Sequence, residues 1–298
     1  MLPLIVNTTP NSQHYKTIRH YLSHNKWLQR TDPTNVDSVI FVPNPSLTLR
    51  LRYDVIMIKD EIYALSKTLG KGGFASVYDG HLILPDGSLG KNVAVKIQPL
   101  AIQPKHKLEQ QIKLTRENGI GAVGPVIGPE YITVNGKTWG VFVLPKADCA
   151  FDEYIKTASP RNVLRRLLEI VYQLEIMHES GFVHLDLKMD NVLILDGSAY
   201  ISDFGISHPI GKEIGLIDAD PAKYPQCPPE RFGAQCCKVP LNPSFDGWSF
   251  GYMLLTCTRY KLSLIPVLKP LAEGLRRPTG RMLLSNVKME LQKLVSEG

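Results

Sequence analysis

The feature that most constrains this chain is a change of period at Pro145. Before it, short runs alternate apolar and polar residues and are rich in β-formers: SLTLRLRYDVIMIKDEIYALSKTL, ASVYDGHLIL, NVAVKIQ, PEYITV and TWGVFVLP. Turn signals separate them at Lys59-Asp60, in PDGSLG and at Asn135-Gly136, and one helical stretch, KHKLEQQIKLTREN, interrupts them. Beyond Pro145, PRNVLRRLLEIVYQLEIMHESG places apolar residues at 163, 164, 167, 168, 171, 174 and 177 and stops at Gly181, an amphipathic helix. NVLILDGSAYISD then reads as a hairpin turning at Asp196-Gly197, and helical stretches dominate afterwards. The pattern predicts an α+β chain with a small β-rich lobe, a helical lobe and a cleft between them. The expected organisation is an extension over 1–60, a β-rich lobe over 61–145 and a helical lobe over 146–298.

A chain of 298 residues with 44% hydrophobic and 21% charged residues can bury a large core. The net charge of +6 fits dispersed Lys and Arg, so no nucleic-acid partner is expected. Five cysteines without C-x-x-C spacing point to a reducing, cytoplasmic setting. No secretory signal or long apolar run is evident, so no transmembrane segment is expected, and nothing in the sequence sets an oligomeric state. Residues 12–28 have helical spacing, with His14, His20 and His24 expected to face solvent.

The chemistry concentrates in GFVHLDLKMDNVLI (Gly181 to Ile194), where His184, Asp186, Lys188 and Asn191 interrupt an apolar run. The hairpin returns Asp203-Phe204-Gly205 to the same neighbourhood. One carboxylate there can accept a hydroxyl proton while an amide and a second carboxylate hold a divalent cation through oxygen. Upstream, LGKGGFASVY sets three glycines between strands, which lets a backbone approach a phosphate. Lys96 ends VAVK, and Glu109 lies on the following helix, where a carboxylate could orient a buried ammonium.

In order, GKGGFASV, VAVK, a helix glutamate, HLDLKMDN, DFG, PPE and DGWSFG resemble the motifs of the eukaryotic-type, Ser/Thr protein kinase superfamily over roughly Tyr63 to Leu284. The resemblance implies a bilobal kinase fold with an ATP cleft, with ATP and Mg²⁺ (or Mn²⁺) as cofactors and protein substrates as partners. It implies that Gly70, Lys71, Gly72, Gly73, Phe74 and Ala75 form the phosphate-covering loop, with Ala75 in the third glycine's place. Lys96 would bind the α- and β-phosphates and pair with Glu109; Asp186 would take the substrate proton; Lys188 would balance charge on the γ-phosphoryl; Asn191 and Asp203 would hold the metal. Leu144 matches the gatekeeper, backbone groups of Pro145 and Ala147 would bond adenine, and Val77, Ala94 and Leu193 would sandwich it. Asp246 would brace the loop backbone, His184 would pack on Phe204, Asp190 would be structural and Glu230 would pair with Arg277.

Three departures stand out. Leu185 replaces the arginine that clamps an activation-loop phosphate, and between Gly205 and Pro228 only Ser207 and Tyr224 carry hydroxyls, so activity without loop phosphorylation is expected. AKYPQCPPE lacks the threonine usual before PPE, and about thirty residues separate Asp246 from Arg277, a pared-down helical lobe. A smaller oddity is Lys113, four residues after Glu109, where a hydrophobe is common. The compactness resembles kinases of pathogen effectors or large viruses, which would act in a host cytosol. The alternatives are a pseudokinase scaffold and a kinase of a small-molecule acceptor.

Overall fold

The computed structural model describes residues 54–58, 61–72, 75–86, 88–118, 126–134, 137–234 and 236–297. The expected helix at 12–28 with its three histidines lies outside the described residues, as do residues 59–60 and 135–136. The chain is α+β and divides into two compact units, Met1–Ile112 with Val123–Lys146, and Lys113–Ala122 with Ala147–Gly298.

The first unit is a six-stranded antiparallel sheet. Its strands are β1 (Asp54–Ile58), β2 (Glu61–Lys71), β3 (Ser76–Ile83), β4 (Leu89–Pro99), β5 (Ile127–Val134) and β6 (Lys137–Pro145), in the order β1-β2-β3-β4-β6-β5. Period-2 alternation sends Ile56, Tyr63, Tyr78, Val93, Val95, Ile97, Val141 and Val143 to one face. Phe142 points to the other, where Leu108 and Ile112 of helix α1 (Lys105–Glu117) cover it. Gly140 is required for that approach, because a Cβ there would lie 2.1 Å from Leu108 Cδ2. The PDGSLG link is tied by Asp86 Oδ1, which accepts from Ser88 N at 2.9 Å and Oγ at 2.6 Å.

In the second unit, β7 (Cys149–Ala150) and α2 (Phe151–Thr157) precede the expected long helix, α3 (Pro160–Glu179). Ser159 caps α3 by accepting from Asn162 N, and Pro160 occupies the first turn, where no N–H is missed. Its apolar stripe, Val163, Leu164, Leu167, Ile170, Val171, Leu174 and Met177, is buried, at roughly 1.5–3 kcal/mol per large side chain. The stripe shares a core with β9 (Val192–Leu195), β10 (Ser198–Ile201) and α4 (Ser244–Tyr260), reached after the short β8 (Phe182–Val183). Asp196 and Gly197 turn the β9–β10 hairpin with positive φ (49° and 75°), the geometry that Asp-Gly favours.

Polar residues of α3 satisfy the free edge of β10. Glu169 accepts from Ala199 N, and Gln173 both donates to Ala199 O and accepts from Ile201 N. This fixes the hairpin on the helix and so fixes where the chain emerges at Asp203. The pairs β8–β11 (His208–Pro209) and β12 (Glu213–Gly215)–β13 (Lys238–Pro240) follow, then α5 (Ile265–Leu275) and α6 (Leu284–Glu297). Among the described residues no helix is long and apolar enough to cross a membrane.

Candidate active site

The second unit builds the HLDLKMDN loop on a buried carboxylate. Asp246, in the first turn of α4, has no exposed surface. Its Oδ2 accepts from His184 N and from His178 Nε2, both at 2.8 Å, and its Oδ1 accepts from Leu185 N at 2.9 Å. Burial works to raise this carboxyl's pKa. The His178 hydrogen bond and charge, helped by the nearby His184 ring and N–H, outweigh it and hold the group below the ordinary aspartate range. The same bonds secure Leu185 at φ 70°, a left-handed conformation that a leucine avoids unless its surroundings impose it.

His184 is buried behind the loop. Its ring meets Phe204 edge-on at 5.3 Å, its Nδ1 accepts from Asp186 N at 3.2 Å, and its Nε2 therefore donates to Ser202 O at 3.0 Å. Asp246 and His184 thus brace the loop as the sequence led us to expect. His178 was not anticipated: a histidine in the last turn of an amphipathic helix carries no distinguishing pattern.

The polar side chains converge on Asp186. Its Oδ2 receives Lys188 Nζ at 3.1 Å and Asn191 Nδ2 at 2.9 Å, and Asn191 Nδ2 also donates to Asp186 O at 2.8 Å. With both amide hydrogens spent, Asn191 offers its Oδ1 as an acceptor. Its backbone carbonyl accepts from Ser202 N (2.8 Å) and Oγ (3.0 Å), which brings the adjacent Asp203 to the loop. Asp203 is left-handed (φ 61°, ψ 64°) and opens the short turn Phe204–Ile206. Asn191 Oδ1 and the Asp203 carboxylate are hard oxygen donors of the kind Mg²⁺ takes, so the residues present fit such an ion. Leu193 is half-buried on β9 opposite Tyr200, and Ala147 begins this unit's second segment.

The loop before PPE also lies at this site. Trp248 Nε1 donates to Pro225 O at 3.2 Å and Ser249 Oγ to Gln226 O at 2.8 Å, fastening the segment to α4. Its Cys227 thiol is raised by burial first, with the Arg231 charge opposing and Asp186 and Lys188 close enough to act on it. Sequence reasoning missed Cys227, because a lone cysteine between prolines signals nothing.

The first unit holds the remaining expected residues. Gly70 and Lys71 end β2 after a register shift, and Gly72 N donates to Ala75 O at 2.9 Å, closing the glycine-rich loop; Gly73 and Phe74 lie outside the described residues. Val77 stands opposite Lys96, and Ala94 is flanked by Asp79 and Leu144. Leu144 is half-buried and Pro145 buried at the end of β6, while Lys146 pairs with Asp79 at 2.8 Å. Lys96 is 6% exposed, its Nζ 5.9 Å from the Phe142 ring centroid.

Two expected pairings need correction. Glu109 does not meet Lys96: its carboxylate, 53% exposed, lies 3.9 Å from Lys105 Nζ and accepts from Tyr131 OH at 3.2 Å. Burial, then the Glu109 bond and charge, push the Tyr131 hydroxyl up to about 12. The 3.6-residue period explains the outward turn. Leu108, Gln111 and Ile112 form the buried face of α1, so Lys105, Glu109 and Lys113 fall on the exposed side. Second, Glu230 pairs with Arg281, not Arg277. Arg281 grips it with both terminal nitrogens (NH2 to Oε2, 2.8 Å) and is only 9% exposed, whereas Arg277 is exposed and lends its carbonyl to Arg281 Nε at 3.0 Å. Arg276, over Trp248 at 4.2 Å, is the arginine that α5 brings inward, and the turn at 277–280 then returns Arg281 to Glu230.

The second unit thus gathers a carboxylate, an ammonium and an amide on one braced loop. A family model, protein kinase domain, matches residues 63–265, and the chain belongs to the protein kinase superfamily. It is 31% identical over 160 residues to a probable serine/threonine-protein kinase of Lactococcus lactis, covering 49% of this chain and 23% of that protein. It is 27% identical over 158 residues to a probable serine/threonine-protein kinase of Streptomyces coelicolor, covering 50% of this chain and 23% of that protein. The chain thus spans about a quarter of the length of these curated relatives.

Proposed function

We propose that this chain transfers the γ-phosphate of ATP to serine or threonine hydroxyls of protein substrates, without needing a phosphate on its own activation segment. The observation that carries the proposal is the Asp186 cluster. Lys188 and Asn191 both hold Oδ2, and among the described residues Oδ1 takes no side-chain bond. Oδ1 is therefore left to accept the proton of a substrate hydroxyl. The hydroxyl oxygen bonds to the γ-phosphorus, the bond from phosphorus to the bridging oxygen breaks, and ADP leaves with those electrons. Lys188, 3.1 Å from Asp186, compensates charge on the phosphoryl group in transit.

Asn191 and Asp203 would hold Mg²⁺ (or Mn²⁺), which neutralises phosphate charge when bound. From the first unit we assign Gly70–Ala75 and Lys96 to the phosphates, and Val77, Ala94, Leu144 and Pro145 to adenine. From the second unit we assign Ala147 and Leu193 to adenine.

Independence from phosphorylation is supported by the packing around Leu185. Its side chain joins Ile214 of β12 and Val239 of β13 on the buried Val183, Leu241 and Phe245, so apolar contact ties the loop to the segment after DFG. Ser207 is fully buried, with its Oγ on His184 O, leaving no access for a kinase. The relatives' printed names favour Ser/Thr acceptors. The five cysteines form no disulfide, in keeping with a reducing compartment.

The test is phosphatase-treated enzyme with γ-labelled ATP and Mg²⁺ on generic protein substrates, followed by phosphoamino-acid analysis. Label on Ser or Thr is expected. Label only after activation-segment phosphorylation would refute the regulatory part. Nucleotide binding without transfer would favour a scaffold, and turnover only with a small acceptor would favour a metabolite kinase.

A further inference from the structure

The turn that ends PPE carries a guanidinium that the fold leaves without a partner. Arg231 closes the short turn Pro229–Arg231, directly after Glu230. Glu230 is spent on Arg281, and among the described residues the Arg231 side chain makes no hydrogen bond or ion pair. Its Nε is buried with nothing to donate to, although the residue as a whole is half-buried. The other inward arginines of this unit are all engaged. Arg166 pairs with Glu169 at 3.1 Å, Arg276 donates to Pro225 O at 2.9 Å, and Arg281 holds Glu230. A half-buried charge with no counterion is costly to the folded state, and an arriving anion relieves that cost.

The backbone that carries Arg231 is fixed. Its N–H donates to Pro228 O at 3.0 Å, and its carbonyl accepts from Ile217 N at 2.7 Å. Upstream, Trp248, Ser249 and Arg276 bond the carbonyls of Pro225 and Gln226. The position also faces the chemistry. Arg231 acts on the Cys227 thiol, and the charges of Asp186 and Lys188 act on that same thiol. Burial keeps the thiol protonated at neutral pH, so Cys227 is no counterion. An extended substrate advances about 3.3 Å per residue, so a side chain a few places from the accepting hydroxyl reaches the guanidinium.

We propose that Arg231 is a specificity-determining residue that binds an anionic side chain of the protein substrate close to the accepting Ser or Thr. Its planar fork suits the oxygens of a carboxylate or of a phosphate already present on the substrate, and its fixed stem reduces the ordering that binding requires.

The inference rests on the kinase reading, and the experiment keeps the two apart. Full-length wild type, Arg231→Gln, Arg231→Glu and Arg231→Lys are assayed with Mg·ATP on neutral peptides holding one serine. A single Asp, phosphoserine or Lys is walked through the positions on either side of that serine. In wild type an anion at one position should raise kcat/KM at least about fivefold over the neutral peptide, mainly through KM. That ratio should fall to within about twofold of unity in Arg231→Gln, turn to favour Lys in Arg231→Glu and persist in part in Arg231→Lys. Asp against phosphoserine tells which oxyanion is preferred. The melting temperature of Arg231→Gln should not fall, since no bond is lost. The proposal is overturned if wild type prefers no anion at any position, if the preference survives in Arg231→Gln, or if that variant slows neutral and acidic peptides alike. Should Arg231→Glu fail to fold, Arg231→Gln and Arg231→Lys carry the comparison. If wild type transfers no phosphate at all, the kinase reading fails. Fluorescence anisotropy of the same peptides then decides Arg231: tighter binding of the anionic peptide by wild type than by Arg231→Gln supports it, and equal binding refutes it.

Discussion

Replacing Asp246 with alanine removes one side chain and strands three donors. His184 N, Leu185 N and His178 Nε2 all end on its carboxylate at 2.8–2.9 Å, and the carboxylate has no exposed surface. A buried donor left without a partner costs about 1–3 kcal/mol. Leu185 then loses the bond that holds its left-handed backbone, a conformation costing roughly 1–2 kcal/mol in itself. Part of this is recovered as the loop relaxes, so Asp246→Ala should lose about 3–6 kcal/mol, a large fraction of the 5–15 kcal/mol typical of a folded domain. Urea denaturation at neutral pH measures the loss. Because relaxation at Leu185 shifts Asp186, kcat should fall more than the ATP KM rises. A loss below about 1 kcal/mol with kcat unchanged would refute the claim that this carboxylate sets the loop.

The same carboxyl makes stability depend on pH. Its folded pKa is depressed, so its contribution is complete above the unfolded aspartate value near 4 and fades as pH falls through the lower folded value; Asp246→Asn should flatten that acid limb in a denaturation series, and a limb of unchanged steepness would count against it. Arg281→Met, which leaves the Glu230 carboxylate unpaired in a part-buried pocket, should cost about 2–4 kcal/mol, while Arg277→Met should stay within about 0.5 kcal/mol, and equal losses would contradict the corrected pairing. Leu185→Arg sets a guanidinium against Val183, Ile214, Val239, Leu241 and Phe245. It should lower kcat several-fold in phosphatase-treated enzyme with little change in ATP KM, and wild-type kcat would contradict the apolar tie.

What was legible in the sequence was what local period and order determine. The stripe of α3, the Asp196-Gly197 turn and the alternation in β2 to β6 depend on neighbours along the chain, and each element appeared where expected. The Asp186 loop was legible because its polar residues lie within a few positions of one another. Glu109 and Arg277 failed for one reason: each was assigned by motif order, and one turn of backbone decides which way a long side chain points. At Glu109 the charged stripe with Lys105 and Lys113 already marked the solvent face. At Arg277 no periodic signal existed, because the choice lies in a turn after α5. His178 reaches Asp246 across 68 residues, a contact that only tertiary packing creates.

The most direct test of the central claim is the rate of γ-phosphoryl transfer by Asp186→Asn beside wild type at saturating Mg·ATP, with ATP affinity measured on the same samples. Asparagine keeps the size and the acceptor oxygen of the side chain but cannot take a proton. Transfer to protein should fall by about 10²–10⁴-fold while ATP affinity stays within about threefold. Transfer undiminished in Asp186→Asn, or absent from wild type, would contradict the assignment of Asp186 as the residue that receives the substrate proton.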